Sequence, residues 1–152
     1  MKIKINIDND ISEDEIIIHC RGITDEILHL QKLISEYSVN TRCLTLRKKE
    51  TEYFIPIEEI LFLETDSSII YAHTRENFYE TSYKLYELEQ LLPGCFMRIS
   101  KSAIVNMNEI YSITRNLTAS SVIEFSNTPK QVYVSRQYYK SLIDRMNERK
   151  QN

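Results

Sequence analysis

Along the first forty residues the hydrophobic pattern changes period twice. Met1-Lys2-Ile3-Lys4-Ile5-Asn6-Ile7 alternates polar and apolar residues, the period of a half-buried strand. Glu15-Ile16-Ile17-Ile18-His19-Cys20 is a short apolar, β-branched run and predicts a second strand. After Arg21-Gly22, the carboxylates Asp25 and Glu26 suit the positive end of a helix. Ile27, Leu30, Leu33, Ile34 and Tyr37 then recur at helical spacing, and Ser38-Val39-Asn40-Thr41 is the predicted joint. One strand and one amphipathic helix cannot bury their own apolar face. They must pack on the rest of the chain or on another copy.

From Arg42 onward the period is mostly two. Arg42–Leu46 and Glu52–Ile55 predict a hairpin about the charged turn Arg47-Lys48-Lys49-Glu50-Thr51. Pro56 breaks it, at a first helical position or a turn. Strands are predicted over Ile60–Thr65, Ile69–Thr74 and Phe78–Ser82, the first two parted by Asp66-Ser67-Ser68. Tyr83–Leu92 predicts a helix with Leu85, Leu88, Leu91 and Leu92 on one side, stopped by Pro93-Gly94. Later strands are predicted over Ile110–Thr114, Val122–Phe125 and Gln131–Val134, the last two facing each other across residues 126–130. A terminal helix from about Arg136 carries Tyr139, Leu142, Ile143 and Met146 and closes on basic residues. No internal repeat is visible.

Composition narrows the class. A chain of 152 residues, 42% hydrophobic and 27% charged, suits one ordinary globular domain with a small addition. No apolar run reaches the ~18–20 residues of a bilayer span, and the N-terminus lacks the apolar core of a signal peptide. A cytoplasmic location is therefore expected. Cys20, Cys43 and Cys95 are odd in number and widely spaced, which fits neither a disulfide framework nor a CxxC site. With only Gly22 and Gly94 present, neither GxGxxG nor a P-loop can be written. GxSxG and HExxH are also missing, so no catalytic or metal-binding residue is assigned, no cofactor is expected, and the chain is not expected to be an enzyme.

Net charge is −3, but it is unevenly placed. Residues 1–40 hold four basic and eight acidic side chains, whereas residues 96–152 hold nine basic and four acidic. Positive charge near the C-terminus would favour phosphate contacts.

Four segments in order carry a family resemblance. Pro56–Thr65 resembles the proline-led I-x-x-I-x-x-[IL]-E opening of the LytTR DNA-binding domain. Leu85–Pro93 is similar to its L-x-x-L-E-x-x-L-P helix, and Phe96–Asn106 to its F-x-R-x-[HS]-[KR]-S-x-I-V-N segment. Val132-Tyr133-Val134-Ser135-Arg136, followed by Tyr139, resembles the closing V-x-[VI]-S-R segment. The series spans about residues 42–146. It implies a mostly β fold with small helices, in which loops enter successive major grooves of double-stranded DNA. The fold class expected is thus α+β: an N-terminal strand–helix element over 1–40, for packing or dimerisation, then a mostly β LytTR-type domain over 41–152. About forty preceding residues are too few for a receiver domain, so the layout looks like a stand-alone LytTR transcription regulator. The resemblance also implies, for some such regulators, a small membrane protein that holds the regulator inactive.

By matching position, the resemblance assigns DNA contact to Lys101 with Ser100 and Ser102, to Arg136 with Ser135, and to the loop holding Ser67 and Ser68. That loop departs from the family in carrying acidic Asp66 and no basic or imidazole group, which leaves its base-reading role open. Lysine and serine donate to phosphate or base edges, and the arginine fork suits guanine or phosphate. Ser135 can cap the terminal helix, where free N–H groups favour phosphate. For Arg98, phosphate contact and an internal ion pair stand about even. Asn106 suits a turn or backbone-satisfying role better than DNA contact. Tyr133, Tyr138 and Tyr139 suit core packing better than base stacking. Lys48 and Lys49 read as a solvated turn. A homodimer on paired half-sites is expected. The rival reading is a protein–protein interaction module or adaptor without nucleic-acid activity.

Overall fold

Strand pairing decides which of these predicted segments become regular structure. The computed structural model describes residues 16–40 and 43–148. Helix α1 spans Asp25–Asn40, followed by β1 (Cys43–Lys48), β2 (Thr51–Pro56), a 3-10 turn over Ile57–Glu59, β3 (Phe62–Asp66), β4 (Ile69–His73) and β5 (Phe78–Thr81). Helix α2 (Leu85–Leu91), β6 (Phe96–Arg98), β7 (Ala103–Asn106) and a second 3-10 turn over Met107–Glu109 come next. The chain continues with β8 (Ile110–Thr114), β9 (Ser121–Phe125), β10 (Gln131–Val134) and α3 (Arg136–Glu148). The architecture is α+β, as expected. None of the described helices is long and apolar enough to cross a membrane.

Seven strands form one antiparallel sheet in the order β2-β1-β5-β4-β3-β7-β6, and β10-β9-β8 form a second. Successive side chains of a strand point to opposite faces, and β3 uses both. Leu63 joins a core with Leu44, Leu46, Ile70, Ala72, Tyr79 and Ile104, which Leu85 and Leu88 of α2 cover together with Leu92 just beyond it. Phe62 joins a second core with Ala103, Val105, Ile123, Phe125, Val132, Val134 and Leu142, built from the small sheet and α3. The β3–β7 pair is therefore shared by two cores.

The ends of the sheets are tied as well. At one end the β4–β5 loop receives Lys130, whose Nζ donates to the carbonyls of Thr74 (2.7 Å) and Asn77, while Thr128 Oγ donates to Arg75 O (2.9 Å). At the other end Thr65 N donates to Ser102 O (2.8 Å) and Ser135 N to Ile99 O (2.9 Å). Asn106 is buried, and its side chain donates to Ile60 O (3.0 Å) and accepts from Asn108 N (3.1 Å), the backbone-satisfying role expected of it.

Several expectations are corrected. Ile16–Cys20 is exposed and carries no regular structure, and no strand among the described residues pairs with it. The predicted joint at Ser38–Asn40 is helical, since α1 runs through Asn40. The Lys49-Glu50 turn is tighter than predicted, with Lys49 at φ 56°. Strands β6 and β7 were not predicted. The expected strand over Met1–Ile7, Glu15, and the joint's Thr41 lie outside the described residues.

His73 sits on the seam between the two sheets. Its ring stacks on Phe62 at 4.3 Å, its Nε2 is 3.3 Å from Glu64 Oε1, and its buried Nδ1 has no hydrogen-bond partner among the described residues. Burial, helped by nearby Lys130, lowers its pKa to about 4 despite the facing carboxylate. Burial and then Asp66 push the Glu64 carboxyl above its ordinary range. An unfolded histidine protonates near 6.5, so between there and about 4 the unfolded chain binds the extra proton. Stability from this group is thus lost as pH falls from about 6.5 to about 4, and levels off below. Urea midpoints across that range are expected to fall with pH, and less steeply for His73→Gln; identical slopes for the two proteins would exonerate His73.

Candidate nucleic-acid interface

Three loops meet at the end of the sheets opposite Lys130. The four-residue connection from β6 to β7 is closed by Ile99 N donating to Ala103 O (3.0 Å), and Ser102 N donates to Ser100 Oγ (3.2 Å). Beside it, β10 turns directly into α3, whose first turn hangs from the Ser135 carbonyl, the acceptor for Tyr138 and Tyr139 N–H. The third loop is the β3–β4 hairpin tip, Ser67-Ser68, with φ of 49° and 74°. Two positive φ values give the twist that a two-residue hairpin needs, usually at Asn-Gly.

The first two loops build one open concavity of about 750 Å3, lined by Ser100, Lys101, Ser102, Ser135, Arg136, Gln137 and Tyr138. Among the described residues its only charged groups are Lys101 and Arg136. Both are exposed, and neither side chain has a hydrogen-bond or ion-pair partner among the described residues. Every other lining side chain is a hydroxyl, an amide or a phenol. Such a surface presents donors to an anion and no carboxylate to repel it.

Ser67 and Ser68 lie apart from this pair. Ser67 Oγ donates to Asp66 Oδ1 (3.0 Å). Ser68 lines a neighbouring concavity of about 460 Å3 with Thr65, Thr81, Ser82, Lys84 and Arg47, among others. Thr65 belongs to this second concavity and bonds Ser102 of the first, so the two adjoin. Lys84 thus supplies beside Ser68 a cation that the hairpin tip itself lacks.

For Arg98 the internal arrangement is the one observed. Nη1 is 2.8 Å from Glu89 Oε2, Nε donates to Ser100 O (2.7 Å), and Nη2 donates to Lys101 O. Its side chain is 21% exposed. Tyr138 and Tyr139 are partly buried against the second core, as expected, whereas Tyr133 stands 56% exposed on the small sheet. Lys48 is not merely solvated, since its Nζ donates to Asn77 Oδ1 (3.1 Å).

Two further cations were not singled out from sequence, Lys84 and Arg115. Arg115 begins the β8–β9 loop, at the same end of the small sheet as Ser135, and its guanidinium lies 5.4 Å from the Tyr139 ring. Neither belongs to a motif segment. Only strand pairing brings them to this end.

The profile of the LytTr DNA-binding domain family matches residues 50–147. This chain belongs to that family. A solved LytTr DNA-binding domain from Bacillus cereus superposes with a TM-score of 0.61 at 27% identity, covering 67% of this chain and 96% of that one. An uncharacterised HTH-type transcriptional regulator of Staphylococcus aureus strain bovine RF122 is 28% identical, aligning 96% of this chain with 98% of its own. Another from strain NCTC 8325 is 26% identical over the same shares. In this LytTR chain no described helix is joined to another by a short turn, and α2 and α3 are separated by five strands, so the described residues contain no helix-turn-helix unit.

The two partnerless cations give a direct expectation. Arg136→Ala is expected to weaken DNA binding and flatten the preference at particular base positions, since a bidentate base contact discriminates by roughly 1–3 kcal/mol. Lys101→Ala is expected to weaken binding, with a fall of about one in the salt slope marking a phosphate contact. Binding isotherms over a salt series check both. A folded double variant with unchanged affinity and preference would remove both residues from the site.

Proposed function

We propose that this LytTR protein is a sequence-specific transcription regulator that reads duplex DNA with loops at one end of its two sheets. The observation that carries the reading is the concavity in which the Lys101 and Arg136 side chains stand among hydroxyl and amide groups, without partners among the described residues. Arg136 is assigned base reading in one major groove, with Lys101 and the serines Ser100, Ser102 and Ser135 gripping backbone or base edges beside it. Ser67 and Ser68, with Lys84, are assigned to the adjoining groove. Arg98 acts on the loop rather than on DNA. The protein works in the cytoplasm, where its DNA is, and has no catalysis of its own.

Dimerisation falls to α1. Leu28 and Leu33 are 50% and 49% exposed, and Ile27 and Leu30 are only half-buried. Two such helices packed together would set two DNA-reading ends on paired half-sites. A small membrane protein occupying the same stripe would hold the regulator as an inactive monomer.

Selection of bound duplexes from random sequence, followed by binding of the full chain over a salt series, tests the main reading. The expectation is a defined motif and steeply salt-dependent affinity. Failure to enrich any motif, with affinity independent of salt, would overturn it. Separately, Leu30→Asp and Leu33→Asp are expected to turn a dimer into a monomer by sedimentation, while single half-site binding persists; unchanged sedimentation would take α1 out of the interface.

A further inference from the structure

The β6–β7 loop that carries Lys101 is short, exposed at its tip and rich in serine; main-chain bonds tie its ends and Ser102 N donates to Ser100 Oγ within it. The carbonyls of its tip are held from beneath. Arg98, the last residue of β6, folds its guanidinium under the loop and donates to two successive carbonyls, Ser100 O and Lys101 O. Glu89 on α2 takes the third direction of the fork at 2.8 Å. The loop is thus held by charge-assisted bonds to an arginine that is itself aimed from another element.

Two consequences follow from the chemistry. A carbonyl oxygen facing a phosphate or a base acceptor is repelled, and the clamp turns two of them toward a cation instead. A pair this exposed contributes little to folding stability, since the Glu89 side chain is 41% exposed and solvent screens the charges. Its value therefore lies in geometry, because contacts must be held to within about half an ångström to discriminate. Lysine cannot stand in for Arg98. It offers a point charge where three directions of a planar fork are used.

We propose that Glu89 and Arg98 form a positioning clamp for DNA recognition, in which an acidic residue on α2 is required for specific binding because it aims the arginine that shapes the Ser100–Ser102 loop. The proposal rests on that loop being part of the DNA-contact surface. Its sign separates it from simple electrostatics. Removing a carboxylate near a DNA-binding face should strengthen binding to any DNA, whereas loss of the clamp weakens binding to the preferred sequence.

The full chain carrying Glu89→Gln, Arg98→Lys, Arg98→Ala or Lys101→Ala is titrated with the selected duplex and with a random duplex over a salt series, and thermal midpoints confirm folding. Glu89→Gln and Arg98→Lys are expected to lower affinity for the selected duplex about tenfold. Affinity for the random duplex is expected to stay or rise with Glu89→Gln, with thermal midpoints near wild type. Arg98→Ala should leave the salt slope on random DNA unchanged. Tighter or unchanged binding of Glu89→Gln to both duplexes, or wild-type behaviour of Arg98→Lys, overturns the clamp. So does a fall of about one in the Arg98→Ala salt slope, which would mark a direct phosphate contact. If Lys101→Ala leaves specific binding intact, the loop is not the contact surface and the underlying reading fails. If Lys101→Ala weakens binding while the clamp variants behave as wild type, only the clamp fails.

Discussion

The β3–β7 pair is buried on both faces, and the rest of the molecule is arranged around that constraint. Phe62 and Leu63 are neighbours in sequence yet belong to different cores, as do Ala103 and Ile104. A pair in this position needs cover on both sides, which α2 provides on one face and the small sheet with α3 on the other. Because β7 and β10 pack into the same core, the residues immediately before β7 and immediately after β10 come out side by side. Those residues are Ser100–Ser102 and Ser135–Arg136. The proposed DNA-reading end is thus a by-product of where the two cores close.

That arrangement suits recognition by loops. A loop offers precise donors only when its backbone is fixed by something stiffer than itself. Here each loop is pinned by main-chain bonds to a neighbouring element: Thr65 to Ser102, and Ile99 to Ser135. The opposite end of the sheets is bound just as firmly, through Lys130 and Thr128 on the β4–β5 loop. Lys130 Nζ is used inside the protein, donating to the Thr74 and Asn77 carbonyls, and burial with nearby Lys48 lowers its pKa. Two cationic ends therefore do different work, one holding the sheets together and the other left without protein partners.

Much of the fold was legible where strands bury one face and alternate accordingly, as β1, β4, β9 and β10 do, and β10 matches the prediction residue for residue. What escaped was β6 and β7. Three or four residues long, with β7 buried throughout, they show no alternation for a period of two to reveal. Ile16–Cys20 shows the converse error: its composition is that of a strand, but strand structure depends on a partner, and none is found among the described residues. In the candidate site, Lys101, Arg136 and their serines could be read because they sit inside contiguous motifs. The role of Arg98 could not, since it depends on Glu89, nine positions back on another element. Arg115 and Lys84 were invisible for the same reason.

A protein with net charge −3 is an unpromising DNA ligand only if charge is counted over the whole chain. Exposed charges more than about 10 Å apart are largely screened at ordinary ionic strength, so a phosphate responds to the charges around its own contact. Among the described residues the concavity at Lys101 and Arg136 holds two cations and no carboxylate, and Glu89, the acidic group tied to its loop, is already paired with Arg98. Residues 1–40 bring eight acidic side chains into the chain's total, and of these the described Asp25 and Glu26 do not line that concavity. Acidity elsewhere has a use of its own: it weakens sequence-independent attraction between DNA and the rest of the surface. Affinity then depends more on the few contacts whose geometry the two cores define.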